Sequence, residues 1–329
     1  MNHQSVPPRM LDHAITDARA WIGRDLTAAD WTITLPAAAL AELRAVVAEL
    51  RHTPLETFLL DPADFRLDAC RAVMAKVKAQ LTSGIMFAVL DRLPMEEISR
   101  DEATQLYWLL TSLVARPVAQ KLNGQMFFDV RDTGAKLKPG SGIRPTVTNV
   151  DLTYHNDNSY NNTPPEFVCL LCLHHAMAGG VSRVVSVYSV HNALREQFPD
   201  LLPRLYQPVH YDRHAEHLPG EDRVFDAPVF EYGEKLDTRL ALSEIYAGYA
   251  LSGETVDNET KAALEAVQSV FNRPDLRVEL EMQAGQIQFV NNRATGHART
   301  EFQDFPEPER KRHLVRLWLR DGGRRGYRG

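Results

Sequence analysis

The stretch Glu309-Arg-Lys-Arg-His-Leu-Val-Arg-Leu-Trp-Leu-Arg320 alternates between two sets of side chains, as a β-strand does. One face carries the even-numbered residues from Arg312 to Arg320, and the other carries Val315, Leu317 and Leu319. Because both faces bear large apolar groups, neither is predicted to be fully solvated. Arg316 would then be partly buried and need a negatively charged partner, which a small dicarboxylate could provide. A solvent-exposed face of arginines is the alternative that this segment alone leaves open.

Similar short runs of β-branched and aromatic residues recur after about residue 125, separated by Gly, Pro, Asn and Asp. They predict strands over 125–130, 167–173, 183–188, 229–232, 276–282, 286–290 and 313–319, with helices over 190–197 and 258–271. The N-terminal third differs, since apolar residues at helical spacing predict helices over 36–51, 67–81 and 99–122. A short buried strand is predicted over 85–90. Many strands after a helical layer predict a mainly β, α+β fold, a sandwich or jelly roll braced by helices.

The domain prediction follows from this division. All 329 residues are expected to form one domain, with a mostly helical layer over 1–124 and a jelly-roll core over 125–321. The glycine-rich, basic residues 322–329 are predicted to be a flexible tail. A chain of this length buries enough surface to need no stabilising metal, so a metal site here would serve chemistry.

Composition excludes several classes of function. The net charge of −6 argues against a nucleic-acid-binding protein. No apolar run is long enough to span a membrane, and the first residues lack a secretory signal, so a cytoplasmic location is expected. Three cysteines cannot form a disulfide framework. Cys169 and Cys172 lie in an apolar run and are interpreted as buried residues of a strand rather than a metal site.

A candidate metal-binding pair lies in Thr153-Tyr-His-Asn-Asp-Asn-Ser-Tyr160. His155 and Asp157 are two residues apart, so on an extended segment both side chains point the same way. One imidazole and one carboxylate on a single face are two of the three ligands of the facial triad in non-haem iron(II) oxygenases. A polar loop that merely contains these residue types is the alternative.

The third ligand could come from Gly285-Gln-Ile-Gln-Phe-Val-Asn-Asn-Arg-Ala-Thr-Gly-His-Ala-Arg299. Here a predicted strand leads into a turn rich in Asn, Arg and Gly, which presents His297. A single histidine in such a place is more often structural, and His297 matters because it could complete the triad.

Four motifs in order, HND, GGVS, NNRATGHAR and RHLVRLWL, resemble the taurine dioxygenase/clavaminate synthase (TauD/TfdA) superfamily of 2-oxoglutarate-dependent oxygenases. The similarity spans roughly 84–321 and implies a double-stranded β-helix core. It implies iron(II), bound by His155, Asp157 and His297, with 2-oxoglutarate and O2 as co-substrates. It further implies an oxidoreductase that releases succinate and CO2 while it hydroxylates or desaturates an unactivated C–H bond. Members often act in secondary metabolism.

The same resemblance assigns further roles. Ser182 matches a family threonine that helps to bind 2-oxoglutarate, and Arg312 matches the arginine that pairs with its far carboxylate. Arg316 resembles a second family arginine that faces substrate or co-substrate. Asn158, Tyr160 and Asn161 follow the metal-binding segment and are candidate substrate contacts, with a surface turn as the alternative. The substrate is expected to be a small carboxylate or amino acid, and homo-oligomerisation is left open. Halogenases of similar fold replace the carboxylate ligand, so Asp157 favours oxygen insertion or desaturation.

The sequence also leaves two other functions open. His210, His214 and His217 have the i, i+4, i+7 spacing of one helix face, which could bind zinc for hydrolysis. Flanking prolines and Gly220 favour a loop there instead. The other alternative is a non-catalytic β-helix protein that binds a small acid, for which loss of a metal ligand would be expected.

Overall fold

The structure is a computed structural model that describes residues 9–136 and 144–328. Its helices are α1 (Ala28–Trp31), α2 (Ala37–His52), α3 (Asp68–Thr82), α4 (Arg100–Ser112), α5 (Val187–Gln197), α6 (Leu242–Ser252) and α7 (Asn258–Phe271). Its strands are β1 (Thr32–Thr34), β2 (Phe87–Asp91), β3 (Arg116–Val118), β4 (Phe128–Val130), β5 (Leu152–His155), β6 (Phe167–His174), β7 (Ala178–Gly179), β8 (Ser182–Ser186), β9 (Val209–Asp212), β10 (Val224–Ala227), β11 (Phe230–Tyr232), β12 (Leu236–Thr238), β13 (Arg277–Leu280), β14 (Ile287–Asn291), β15 (Thr295–Arg299), β16 (Phe302–Gln303) and β17 (His313–Arg320).

Two sheets form the core. The larger has the order β1-β2-β14-β6-β17-β3, and β4 also pairs with β17. The smaller is antiparallel, with the order β13-β8-β15-β5. Val168, Val290 and Trp318 of the larger sheet share one apolar cluster with Val184 and Val278 of the smaller. The two sheets therefore pack face to face, and the predicted jelly-roll fold braced by helices is confirmed.

The outer face of the larger sheet is covered by α2, α3 and α4. Leu317 and Leu319 of β17 lie in the same apolar cluster as residues of these helices, whereas Trp318 lies in the cluster between the sheets. The side chains of β17 thus alternate between the two layers, and every residue of the strand is buried. This arrangement confirms the alternation predicted from the sequence and directs Arg316 into the interior.

Helix α4 is shorter than the sequence pattern suggested. It begins with a capping box, in which Ser99 and Glu102 each accept a backbone N–H, but it ends at Ser112 rather than Leu122. The next element is β3, which contains Pro117. Proline has no N–H and disfavours helical geometry in the residue before it, so the helix could not have continued across this position.

Helix α6 was not predicted. Its Gly248 packs so closely on β9 that a Cβ there would lie 2.4 Å from the carbonyl oxygen of His210. A glycine in a helix interior lowers the helix signal in the sequence, yet here it permits close helix–strand packing. The helix forms one wall of the cavity described below.

The segment 322–328 lies against the body, which differs from the flexible tail that its glycines suggested. Tyr327 is 4% exposed. The buried guanidinium of Arg320 donates to the carbonyl oxygens of Gly326 and Tyr327. One buried aromatic ring and these backbone contacts outweigh the flexibility of the neighbouring glycines. In the ranges described, no helix is long and apolar enough to cross a membrane.

Candidate metal centre

Three candidate ligands converge between β5 and β15. His155 and His297 face each other as paired residues of these antiparallel strands, with ring centroids 4.3 Å apart. Asp157 Oδ1 lies 3.4 Å from His155 Nε2 and 3.8 Å from His297 Nε2. Across residues 9–136 and 144–328, this is the one group of three His, Cys, Asp or Glu side chains close enough to share a metal ion.

Two asparagines that the sequence analysis missed fix the segment that bears these ligands. The Asn156 amide donates to the carbonyl oxygens of Asn292 and Thr295, at 2.6 and 2.7 Å. Asn292 Oδ1 accepts the backbone N–H of Asp157 at 2.8 Å, and its amide returns a bond to the Asp157 carbonyl at 2.9 Å. The turn before β15 thus holds the segment 155–157, which carries His155 and Asp157, in register with His297. The adjacent asparagines at 291 and 292 were the available sequence signal.

Asp157 and His297 are in charge states that suit a metal cation. Burial alone would raise the pKa of Asp157, but Arg316 and the two histidines hold that pKa well below its usual range. The Asp157 carboxylate is therefore anionic. Burial and the neighbouring His155 lower the pKa of His297, which favours the neutral imidazole that a metal requires. His155 Nδ1 lies 2.9 Å from the carbonyl oxygen of Thr153, so a proton on Nδ1 leaves Nε2 free to bind.

The second oxygen of Asp157 is held from the opposite side. Trp318 Nε1 donates to Oδ2 at 2.7 Å, and Arg316 Nη1 lies 2.9 Å from it. Arg316 Nε also donates to Gln120 Oε1, and its guanidinium lies over the ring of Phe128. The charge partner that Arg316 was predicted to need is thus present within the chain as Asp157. Oδ1 is left as the oxygen that faces both histidines.

Arg312 is buried without such a partner. It is 4% exposed, its Nη1 has no hydrogen-bond partner within the described ranges, and burial lowers its pKa to about 10. Its guanidinium lies over the ring of Phe302. The backbone of Gly180 lies so close that a Cβ there would be 3.0 Å from Arg312 Nε. Ser182 is also buried and begins β8 two residues later.

A cavity of about 860 Å³ opens beside the triad. His155, Asp157, Arg316 and Trp318 line its inner end, and α6 lines another side. Of the three candidate substrate contacts, Asn158 and Tyr160 line the cavity. The Asn161 amide instead donates to the carbonyl oxygen of Tyr327 at 3.1 Å, because its turn faces the segment 322–328. Arg144 and Glu244, which also line the cavity, were not predicted.

The alternative zinc site does not form. His210 lies on β9 rather than on a helix and bonds Asp226 at 2.6 Å, while His214 bonds Glu244 at 2.9 Å. A strand followed by a turn does not place residues 210, 214 and 217 on one face. The helical spacing therefore has no counterpart in the fold.

Comparisons with known proteins agree with this geometry. The chain is 28% identical over 296 residues to FR-33289 synthase of Streptomyces rubellomurinus, covering 89% of this chain and 86% of that protein. It is 25% identical over 315 residues to the Taurine hydroxylase-like protein SAT17 of Stachybotrys chartarum, covering 92% and 79%.

Solved structures of similar fold include asparagine oxygenase in complex with Fe(II), (2S,3S)-3-hydroxyasparagine and succinate. It matches with a TM-score of 0.65 and 21% identity, covering 88% of this chain and 94% of that one. The non-haem iron oxygenase OrfP, in complex with Fe, succinate and (3S)-hydroxy-L-Arg, matches with a TM-score of 0.64 and 14% identity over the same shares.

The profile described as the Taurine catabolism dioxygenase TauD, TfdA family matches residues 51–318. That range contains α3 and α4, the whole smaller sheet, most of the larger sheet and all three members of the triad. The chain therefore belongs to this family, and the sequence-based prediction of an iron- and 2-oxoglutarate-dependent dioxygenase is confirmed at the level of the family.

Proposed function

We propose that the protein hydroxylates or desaturates an unactivated C–H bond of a small acid or amino-acid-like metabolite, with release of succinate and CO2. The observation that carries the proposal is the convergence of His155, Asp157 and His297 next to a large cavity. Two imidazoles and one carboxylate on one side of an ion are the ligand set preferred by non-haem iron(II) oxygenases.

The donor set fits iron(II). Trp318 and Arg316 hold one oxygen of Asp157, so the other oxygen is available as a single ligand atom beside the two imidazoles. The metal, with 2-oxoglutarate and O2, would supply the oxidising power that protein side chains lack. The chain supplies the ligands, a buried site and the orientation of the substrate.

Arg312 and Ser182 are proposed to hold the far carboxylate of 2-oxoglutarate. A guanidinium binds a carboxylate through two parallel N–H bonds. Arg312 offers such a group, buried and without an acidic partner in the part of the chain described. A serine hydroxyl could donate a further hydrogen bond to the same carboxylate.

The substrate is proposed to lie in the cavity against Arg316, Asn158 and Tyr160. Asparagine oxygenase and OrfP have been solved with a hydroxylated asparagine and a hydroxylated arginine. Those complexes support an amino acid or a related carboxylate here. Because the carboxylate ligand Asp157 is retained, hydroxylation or desaturation is favoured over halogenation.

Two measurements test the proposal. Anaerobic addition of iron(II) and 2-oxoglutarate should produce a visible charge-transfer band, and a panel of amino acids and carboxylates should reveal substrate-dependent succinate. Asp157→Ala is expected to abolish succinate formation, because it removes the anionic ligand. His210→Ala, a histidine variant outside the triad, is the control and should retain activity. Full turnover by Asp157→Ala, or metal loss from His210→Ala, would refute the ligand assignment.

A further inference from the structure

One aromatic residue of the segment 322–328 reaches both neighbours of Asp157. The Tyr327 hydroxyl donates to Asn158 Oδ1 at 2.8 Å. The Tyr327 ring stacks on that of Trp318, with centroids 6.4 Å apart and an interplanar angle of 26°. Trp318 in turn donates its indole N–H to Asp157 Oδ2. Tyr327 is therefore linked to Asp157 indirectly in two ways: through Asn158, the next residue in the chain, and through the hydrogen bond from Trp318.

The route through Asn158 involves a constrained backbone. Asn158 follows Asp157 directly and has a φ of +59°, in the left-handed region that asparagine occupies more often than most residues other than glycine. Such a conformation persists where surrounding contacts enforce it. The hydrogen bond from Tyr327 is one such contact, because it fixes the Asn158 side chain. The Asn158 Nδ2 is buried without a partner among residues 9–136 and 144–328, and Asn158 lines the cavity.

Tyr327 is itself held through its backbone. Arg320 Nη2 and Asn161 Nδ2 both donate to the Tyr327 carbonyl oxygen, at 2.9 and 3.1 Å. Thr163 donates to the carbonyl oxygen of Arg328 at 3.1 Å. These anchors do not use the Tyr327 side chain. Changing that side chain therefore removes the buried ring but none of these backbone hydrogen-bonding groups.

We propose that Tyr327 is a positioning residue of the metal centre, which orients Trp318 and Asn158 on either side of Asp157 and so strengthens metal binding. The inference rests on the proposed function, since it takes Asp157 as a metal ligand. Partners that orient a metal ligand typically contribute about 10- to 100-fold in metal affinity. Tyr327 acts one contact further out, and the lower end of that range is expected.

The test is a titration of the full chain with cobalt(II), in which binding is followed by the visible d–d absorption of the metal. The titration is repeated with iron(II) and 2-oxoglutarate under anaerobic conditions. Tyr327→Ala, which removes both routes, should weaken metal binding about tenfold. Tyr327→Phe keeps the ring on Trp318 and loses only the hydrogen bond to Asn158. It should weaken metal binding about threefold, which is a smaller effect than a typical neutral hydrogen bond has on stability. Arg328→Ala is the matched control, since it removes the ion pair with Glu221 from the same segment and should bind metal normally.

Three outcomes would overturn the proposal. One is normal metal affinity in Tyr327→Ala, and another is an equal loss in Arg328→Ala, which would implicate docking of the segment in general. The third is a loss of binding that matches the unfolded fraction measured by circular dichroism. If the wild-type chain bound neither metal, the proposed function would fail as well. Normal binding by the wild type with unaffected Tyr327 variants would overturn this inference alone.

Discussion

Replacing Arg312 with methionine should separate stability from co-substrate binding. Arg312 is buried, and no carboxylate in the described part of the chain lies within ion-pair distance of its guanidinium. Methionine keeps an unbranched apolar side chain that can occupy the space over Phe302. The backbone N–H of residue 312 would still donate to Asp304. The substitution therefore removes a buried charge and little else.

The surroundings of Arg312 set the size of both effects, the change in stability and the change in 2-oxoglutarate affinity. Burial lowers the Arg312 pKa from 12.5 to about 10, which corresponds to a penalty of about 3 kcal/mol for the buried charge. Removing the charge should thus raise the free energy of unfolding of the metal-free protein, by about 1–3 kcal/mol. Truncating one member of a buried charge pair costs about 2–5 kcal/mol of binding. The affinity for 2-oxoglutarate should therefore fall at least about 30-fold.

Urea unfolding of the metal-free protein and calorimetric titration with 2-oxoglutarate, with cobalt(II) present, would measure the two quantities. Arg310→Met is the control, because Arg310 is exposed and pairs only with Glu307 among the described acidic residues. Arg312→Lys keeps the charge but loses the two-bond geometry, and it should bind 2-oxoglutarate with intermediate affinity. Unchanged affinity in Arg312→Met would refute the co-substrate assignment. A less stable apoprotein would refute the reasoning about its uncompensated charge.

Two further perturbations test particular positions. Gly180→Ala should weaken 2-oxoglutarate binding, because its Cβ would crowd Arg312. Gly253 has a similar positive φ but open space around it, so Gly253→Ala should lower the stability of the protein and leave 2-oxoglutarate binding unchanged. Calorimetry of both variants would show the difference, and equal affinities would contradict it. His191 is fully buried, and burial lowers its pKa to about 4. In the unfolded chain His191 takes up a proton near pH 6.5, whereas in the folded chain it does so only near pH 4. The free energy of unfolding should therefore fall as the pH drops from about 6.5 towards 4, by up to about 3 kcal/mol. His191→Gln should remove this part of the pH dependence in urea unfolding, and an unchanged slope would contradict the assignment.

The parts of the fold that the sequence predicted well depend on local periodicity. Helix α7 was predicted with its observed bounds, and β6 and β17 were predicted within one residue at each end. His155 and Asp157 share a face because alternation along an extended segment is a local property. His297 could be suggested as a third ligand from the sequence, but its pairing with His155 could not be predicted, since strand pairing across more than 130 residues is not encoded in any short window.

The parts that could not be predicted depend on contacts between distant segments. Asn156 and Asn292 lock the triad through bonds that span 136 residues. The partner of Arg316 was expected to be a ligand and is Asp157, because only the folded chain shows that the two side chains meet. Tyr327 likewise belongs to a segment whose glycine content suggested flexibility. In each case a polar residue was visible in the sequence while its partner was not.

Three arginines, Arg312 just before β17 and Arg316 and Arg320 within it, differ in how the fold compensates their charge. Arg316 pairs with Asp157, and Arg320 donates to the backbone carbonyls of Thr163, Gly326 and Tyr327. The guanidinium of Arg312 has no such contact in the described residues. Burying an uncompensated charge lowers stability, so its retention is hard to explain by folding. A dianionic co-substrate that enters after folding would supply the missing carboxylate, and Arg316, Arg320 and Arg312 would then serve as a metal-ligand support, a structural anchor and a co-substrate contact, respectively.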